Sequence, residues 1–142
     1  MDEVSPALES AMATVGDRWS LLVVAALMGG PRRFGELLES VVGVAPNILA
    51  SRLRHLERQG VVVSRPYSER PPRVDYQLTA RGHDLAGAIR LLTAWEANSA
   101  PAGAEPASPP RHQPCGTPME PRWWCPTCGR NAEDDEADLY WI

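Results

Sequence analysis

This chain of 142 residues contains no lysine: its fourteen basic side chains are all Arg, a bias that GC-rich coding explains and from which no function follows. Cysteine is missing from everything before Cys115, so no disulfide framework braces the main body. Phenylalanine occurs once, and the longest apolar run, Leu21 to Met28, falls far short of the ~20 residues a membrane-spanning helix needs. Asp2 and Glu3 stand where a signal peptide would carry its positive n-region. A cytoplasmic location with no membrane association is therefore expected. In that compartment clustered thiols more often hold metal than form disulfides. A Ser–His–Asp set, a phosphate loop and an open metal site are all missing from the pattern, which argues against an enzyme.

What is present suffices for one packed domain with a small appendage. Hydrophobic residues make up 44% of the chain, enough to fill a core, and this excludes wholesale disorder. The net charge of −4 argues against a strongly basic nucleic-acid binder, but the average conceals a split. From Arg32 to Arg81 nine Arg face five acidic residues, whereas from Pro101 to Ile142 three Arg face seven. A locally positive stretch on an acidic whole fits moderate, salt-sensitive affinity for DNA.

Periodicity predicts a mainly α fold with one small β-hairpin. A short amphipathic helix is expected over 5–15. Asp17 can cap a second helix running to Met28, with Trp19, Leu22, Val23, Ala26 and Leu27 toward the core. A third helix over 34–42 would bury Phe34, Leu37 and Leu38, and Gly43 would break it. Pro46 suits the first turn of a fourth helix that Gly60 ends. Strands over 61–65 and 74–78 flank "PYSERPPR", whose Pro and Arg suit a projecting loop. Thr79 then caps a long helix to about Asn98, with Leu85, Ile89, Leu92 and Trp95 on one side. Trp19, Phe34 and Trp95 are expected in the core. Residues 99–111 are a Pro- and Ala-rich linker.

The fourth helix carries the chemistry. At 100° per residue Leu49, Leu53 and Leu56 fall within about 60° of one another, while Asn47, Ser51, Arg54 and Arg58 gather opposite them. That opposite stripe is almost entirely hydrogen-bond donors and holds no acid. Helix–turn–helix, then an Arg-tipped hairpin, then a helix is the order of a winged helix-turn-helix. A groove about 12 Å wide admits one helix, so the helix over 46–59 is expected in the major groove of double-stranded operator DNA. Asn47 and Ser51 would meet base edges, and Arg52, Arg54 and Arg58 would reach phosphate or guanine. Arg70 and Arg73, on the wing over 65–73, would enter the minor groove or clamp its backbone. Arg32 and Arg33 sit where a helix start favours phosphate. His55 reads as a partly exposed packing residue, and His83 is assigned no role.

The cysteines raise a separate matter. His112 and Cys115 are separated by two residues, as are Cys125 and Cys128, and a Gly follows each pair. Zinc takes four tetrahedral thiolate and imidazole ligands, and two-residue gaps let a tight turn present two of them. One closed, structural Zn2+ per chain is expected, with "GTPMEPRWW" forming a short hairpin that brings the turns together. Such a site contributes about 10–16 kcal/mol toward ordering a segment too small for its own core. The competing readings are a zinc- or redox-responsive sensor with the cluster as input, a Cys125–Cys128 redox pair, and a protein-interaction adaptor using the tail. Trp123 or Trp124 is expected to cover the metal or pack on the body. The acidic run from Glu133 to Asp138 would repel DNA, and the terminal "LYWI" would dock on protein. The organisation is thus a winged helix-turn-helix domain over 1–98, a linker over 99–111 and a zinc knuckle with acidic tail over 112–142.

"GDRW", "GGPRRFGEL", "ILASRLRHLERQGVV" and "PPRVDYQLTARG" together resemble the HxlR-type transcriptional regulators, from about Ser5 to Ala97. The resemblance implies a homodimer joined through its first and last helices, without catalytic activity, bound to a two-fold operator, and most simply a repressor. It names no small-molecule effector. Many members carry Cys-Pro before the first helix, and in some that cysteine senses oxidants or electrophiles; this chain has Ser5-Pro6, so that sensing does not carry over. Before Pro46 the family often has Ser or Thr, and this chain has Ala45, which removes a cap and a phosphate contact. The tail resembles, more loosely, zinc-ribbon-like extensions of some actinobacterial members.

Overall fold

The computed structural model describes residues 4–99 and 110–132. The chain divides into two compact units, Met1–Ile89 and Arg90–Ile142. Most of the expected linker, the acidic run and the "LYWI" terminus lie outside the described residues.

The first unit begins with four helices, α1 (Pro6–Val15), α2 (Arg18–Leu27), α3 (Phe34–Ser40) and α4 (Pro46–Arg58). Strands β1 (Val62–Glu69) and β2 (Pro72–Leu78) form an antiparallel hairpin, and α5 (Ala80–Ser99) follows. Helix α2 is the centre, packing on α1, α3, α4 and β2. Val23, Val24 and Leu27 from α2 meet Leu37, Leu49, Leu53, Leu56, Val61, Val62 and Leu78, all buried. Burying a Val or Leu side chain stabilises by about 1.5–3 kcal/mol, so this cluster dominates the fold. Leu22, expected inside, is 42% exposed, and Val24 takes its place. The two lie about 100° either side of Val23, and the core is on the Val24 side.

Asp17 fixes where α2 begins. Its carboxylate accepts from the amides of Trp19 and Ser20, both at 3.0 Å, and from the Ser20 hydroxyl. Arg52 of α4 lies 3.5 Å from the same carboxylate, and His55 Nε2 is 2.9 Å from the Thr14 carbonyl at the end of α1. Burial alone would raise the Asp17 carboxyl. The Ser20 hydroxyl and amide, Arg52 and the Trp19 amide outweigh that and hold it below its ordinary value of 3.8.

Three elements depart from sequence expectation. Helix α3 stops at Ser40 rather than Val42, because Val41 leaves helical backbone (φ −97°, ψ 79°) to enter the core, leaving Val42 81% exposed. The strands are longer than expected and take in most of "PYSERPPR", so only Arg70 and Pro71 form the tip. The register shifts between Pro66 and Ser68, where proline has no N–H to give the ladder. Trp95 is 66% exposed and Leu92 49%, so neither is a core residue; the α5 stripe packs on the core only through Leu85 and Ile89. Among the described residues no helix is long and apolar enough to cross a membrane.

Helix α5 starts against Gly60 and Val61, just before β1. Thr79 Oγ1 accepts from the Gly82 amide at 3.1 Å and donates to the Gly60 carbonyl at 2.6 Å. A Cβ on buried Gly82 would lie 2.3 Å from the Val61 carbonyl oxygen, a backbone atom that has little freedom to retreat.

In the second unit, β3 (Trp123–Cys125) pairs antiparallel with β4 (Arg130–Ala132), and Arg111 forms an isolated bridge with Pro118. The "GTPMEPRWW" segment is not the hairpin expected of it. Each Cys/His turn instead closes its own hairpin; the start of the segment belongs to the first, its Trp pair to the second, and only its middle links them.

Gly82→Ala should lower unfolding free energy by about 1–3 kcal/mol, because the methyl forces α5 away from the Val61 carbonyl. Urea denaturation measures this, and unchanged stability would mean that α5 is not seated there. Asp17→Ala should cost about 0.5–2 kcal/mol by removing the cap. Asp17→Asn keeps an acceptor but loses the charge. A carboxyl lowered on folding contributes stability above its unfolded value and loses it as pH falls toward the folded one. The wild type should therefore weaken, relative to Asp17→Asn, as pH drops through 3.8, read by urea midpoints across that range.

Candidate nucleic-acid interface

Helix α4 is held at one rotation. Leu49, Leu53 and Leu56 are each no more than 1% exposed. Asn47, Arg54 and Arg58 are therefore on the surface, with Ser51 half-buried between them. No acidic side chain interrupts that stripe; Glu57 lies roughly 60° or more to its side. Helix α4 begins at Ala45, which has extended backbone (φ −75°, ψ 145°) and no capping side chain. Pro46 has no N–H and the Leu49 amide donates to the Ala45 carbonyl at 2.9 Å. The amides of Asn47 and Ile48 are then the first-turn donors that α4 itself does not use. A helix start with free amides is a natural seat for phosphate oxygen.

Arg52 is placed differently from the other candidates. It lies about 60° from Leu49 around the helix, on the flank of the buried face. There it is half-buried, 3.5 Å from Asp17, and its Nε is buried without a hydrogen-bond partner. The pairing is across the fold, with Asp17, and not with the neighbouring Glu57.

Arg32 and Arg33 part company as well. Arg32 is half-buried, its Nε donating to the Ala26 carbonyl at 2.8 Å and its Nη1 to Ser40 Oγ at 3.0 Å. Its backbone exchanges two hydrogen bonds with Tyr76, at 2.9 and 2.8 Å, adding a one-residue third strand beside the wing. Burial, then the Glu57 charge, pushes the Tyr76 phenol above its ordinary value despite Arg54. Arg33 is exposed and lies over the ring of Tyr67 on β1, 4.8 Å from its centre. That contact ties the start of α3 to the wing. Arg70 and Arg73 are exposed at and beside the wing tip. The exposed set thus comprises Asn47, Arg54, Arg58, Arg33, Arg70 and Arg73.

Sequence reasoning missed Tyr67 as the partner of Arg33, and Asp17 as the partner of Arg52. Neither had a local signal. Each pair is separated by more than thirty residues and meets only through the fold.

At the other end of the chain His112 Nδ1 is 3.2 Å from Cys115 Sγ, and the Cys128 amide donates to Cys125 Sγ at 3.5 Å. The Thr117 hydroxyl and amide hold the Cys115 thiol below its ordinary value; the Cys128 amide and thiol, then the Thr127 amide, do the same for Cys125. Among the described residues no three His, Cys, Asp or Glu side chains converge closely enough to hold one ion. The sequence-predicted ligands come together as two pairs.

A family model described as HxlR-like helix-turn-helix matches residues 14–103. An uncharacterized HTH-type transcriptional regulator of Mycobacterium tuberculosis is 40% identical over 119 residues, 84% of this chain and 75% of that protein. Among solved structures, the reduced form of the transcriptional regulator YodB of Bacillus subtilis aligns with a TM-score of 0.62 at 33% identity, over 72% of this chain and 100% of that one. PA1607, classed with transcription factors, aligns with a TM-score of 0.80 at 28% identity, over 97% of this chain and 96% of its own. With the helix-turn-helix, the wing and the matched residues in agreement, this chain belongs to the HxlR-like helix-turn-helix family of transcriptional regulators.

Proposed function

We propose that this regulator acts in the cytoplasm as a homodimeric repressor that binds a two-fold operator and catalyses nothing. Helix α4 enters the major groove, where Asn47 and Ser51 read base edges and Arg54 and Arg58 reach guanine or phosphate. Arg70 and Arg73 on the wing contact the adjacent backbone or minor groove. Arg33, braced by Tyr67, and the free first-turn amides of α4 hold phosphate on either side. Arg52 supports the orientation of α4 through Asp17 and reaches DNA less readily than Arg54. The observation that carries this reading is the acid-free stripe of α4, turned to solvent by three fully buried leucines.

Dimerisation through the first and last helices is supported by the apolar side chains each leaves exposed. Leu8 and Met12 on α1 are 53% and 50% exposed, and Leu92 and Trp95 on α5 are 49% and 66%. Patches of this kind are more often partner surfaces than bare ones. A two-fold dimer also presents two copies of α4 related by the same symmetry as the half-sites of a palindromic operator.

Operators selected from random duplexes by the full-length protein provide the test. Arg54→Ala and Arg73→Ala should each weaken binding about tenfold to a hundredfold in a mobility-shift assay, with unchanged melting. Loss of a phosphate contact should also shallow the dependence of log affinity on log salt by about 0.9. Wild-type binding by both variants would rule out the groove assignment. Leu8→Glu combined with Trp95→Glu should shift the protein toward monomer in sedimentation equilibrium and weaken operator binding in parallel. A dimer that survives both changes lies on another face.

A further inference from the structure

Residues 110–132 include none that is buried, yet they form two hairpins. A segment without a core needs another source of order. The hairpins are two copies of one unit, offset by thirteen residues. His112, Cys115 and Gly116 in the first correspond to Cys125, Cys128 and Gly129 in the second. The Gly116 amide donates to the His112 carbonyl at 2.7 Å, and the Gly129 amide to the Cys125 carbonyl at 2.9 Å. Both glycines are left-handed, with φ of 71° and 65°, which side chains rarely adopt. The flanking pairs match too: Arg111 opposite Pro118 has the offset counterpart Trp124 opposite Asn131. One step further out, the Met119 amide donates to the Pro110 carbonyl at 2.8 Å, where the second unit pairs Trp123 with Ala132.

We propose that these two turns are the halves of one tetrahedral zinc site, with His112, Cys115, Cys125 and Cys128 as its ligands. The spacing inside the first half fits. Zinc bonds of about 2.3 Å to sulfur and about 2.0 Å to nitrogen, at a tetrahedral angle, set the two donors about 3.5 Å apart. His112 Nδ1 and Cys115 Sγ stand 3.2 Å apart. In the second half the Cys128 amide already points at Cys125 Sγ, the kind of hydrogen bond that supports a metal-bound thiolate. The two halves are not merged in the structure, and each presents one pair of donors. Zinc joins them, each thiol yielding its proton to solvent as it binds. With four protein ligands no position remains for a substrate, so the ion orders the tail and does not catalyse. This site stands independently of the DNA-binding reading, since none of its residues lies in α4 or the wing.

The full-length protein, loaded with zinc or cobalt(II), decides the matter. Native mass spectrometry should find one zinc per chain, and cobalt should give the visible bands of a tetrahedral thiolate site. Cys115→Ser, Cys125→Ser and His112→Ala should each lower zinc affinity at least tenfold. Metal binding that depends on Cys125 and Cys128 but is unaffected by changes at His112 and Cys115 would overturn the four-ligand site. One zinc per two chains would overturn its intramolecular form. An octahedral cobalt spectrum, or no metal bound by the fully reduced protein, would overturn it altogether.

Discussion

The rotation of α4 about its own axis is the constraint on which the rest of the first unit depends. A helix has one free angle once its ends are fixed, and here Leu49, Leu53 and Leu56 remove it. All three are essentially inaccessible to water. Turning the helix by a third of a revolution would expose at least two of them and drive Arg58 or Arg54 inward. Exposing a leucine costs about 1.5–3 kcal/mol, and burying an unpaired guanidinium costs more. The outward donor stripe is therefore a by-product of the inward apolar one. The same residues that stabilise the fold set the register in which the surface meets a partner.

Asp17 acts on the same helix from a different direction. It caps α2 and also receives Arg52. A group on the solvent face of α4 could not reach it, but Arg52 sits half-buried at the edge of the buried face, with its guanidinium 3.5 Å from Asp17. His55, one turn further, meets the end of α1 at Thr14. The α1–α2 corner and α4 are thus connected by polar contacts at two successive turns, above the hydrophobic contact beneath. The partial exposure of the ion pair keeps its Coulomb contribution modest. Its directionality matters more than its strength, since it opposes sliding of α4 along its axis, which leucine packing alone resists weakly.

Periodicity carried most of this architecture in plain sight. The Asp17 cap, the stops near Gly29 and Gly60, the leucine face of α4 and the Thr79 cap all depend on neighbours within a turn or two, and local residues determine local structure. The places where expectation and structure part depend on distant residues. Leu22 and Val24 are equally apolar, and only the direction from which α1, α3 and α4 approach chooses between them. Trp95 continues a perfect helical stripe, but α5 outlasts the core beneath it, and nothing within α5 marks where that core stops. Arg32 reads like Arg33 in sequence. The backbone exchange with Tyr76, more than forty residues away, commits one to the interior and leaves the other on the surface.

The two ends of the chain solve the same problem with different physics. The first unit encloses enough apolar surface for its secondary structure to be a consequence of burial, and its polar groups are arranged around that. Across residues 110–132 nothing is enclosed, and the regular structure resides in backbone hydrogen bonds around two left-handed glycines. Backbone hydrogen bonds exposed to water contribute little net free energy, because water competes for both partners. Two exposed hairpins of this size are marginal alone. The repetition of one turn with soft donors at matching positions is informative for that reason: a sequence under no demand for a second identical turn has many cheaper ways to make a hairpin. The first unit, by contrast, has no use for such a device, and no cysteine occurs in it. If the proposed zinc is bound there, oxidation or chelation acts on residues that share nothing with α4 or its buried leucines.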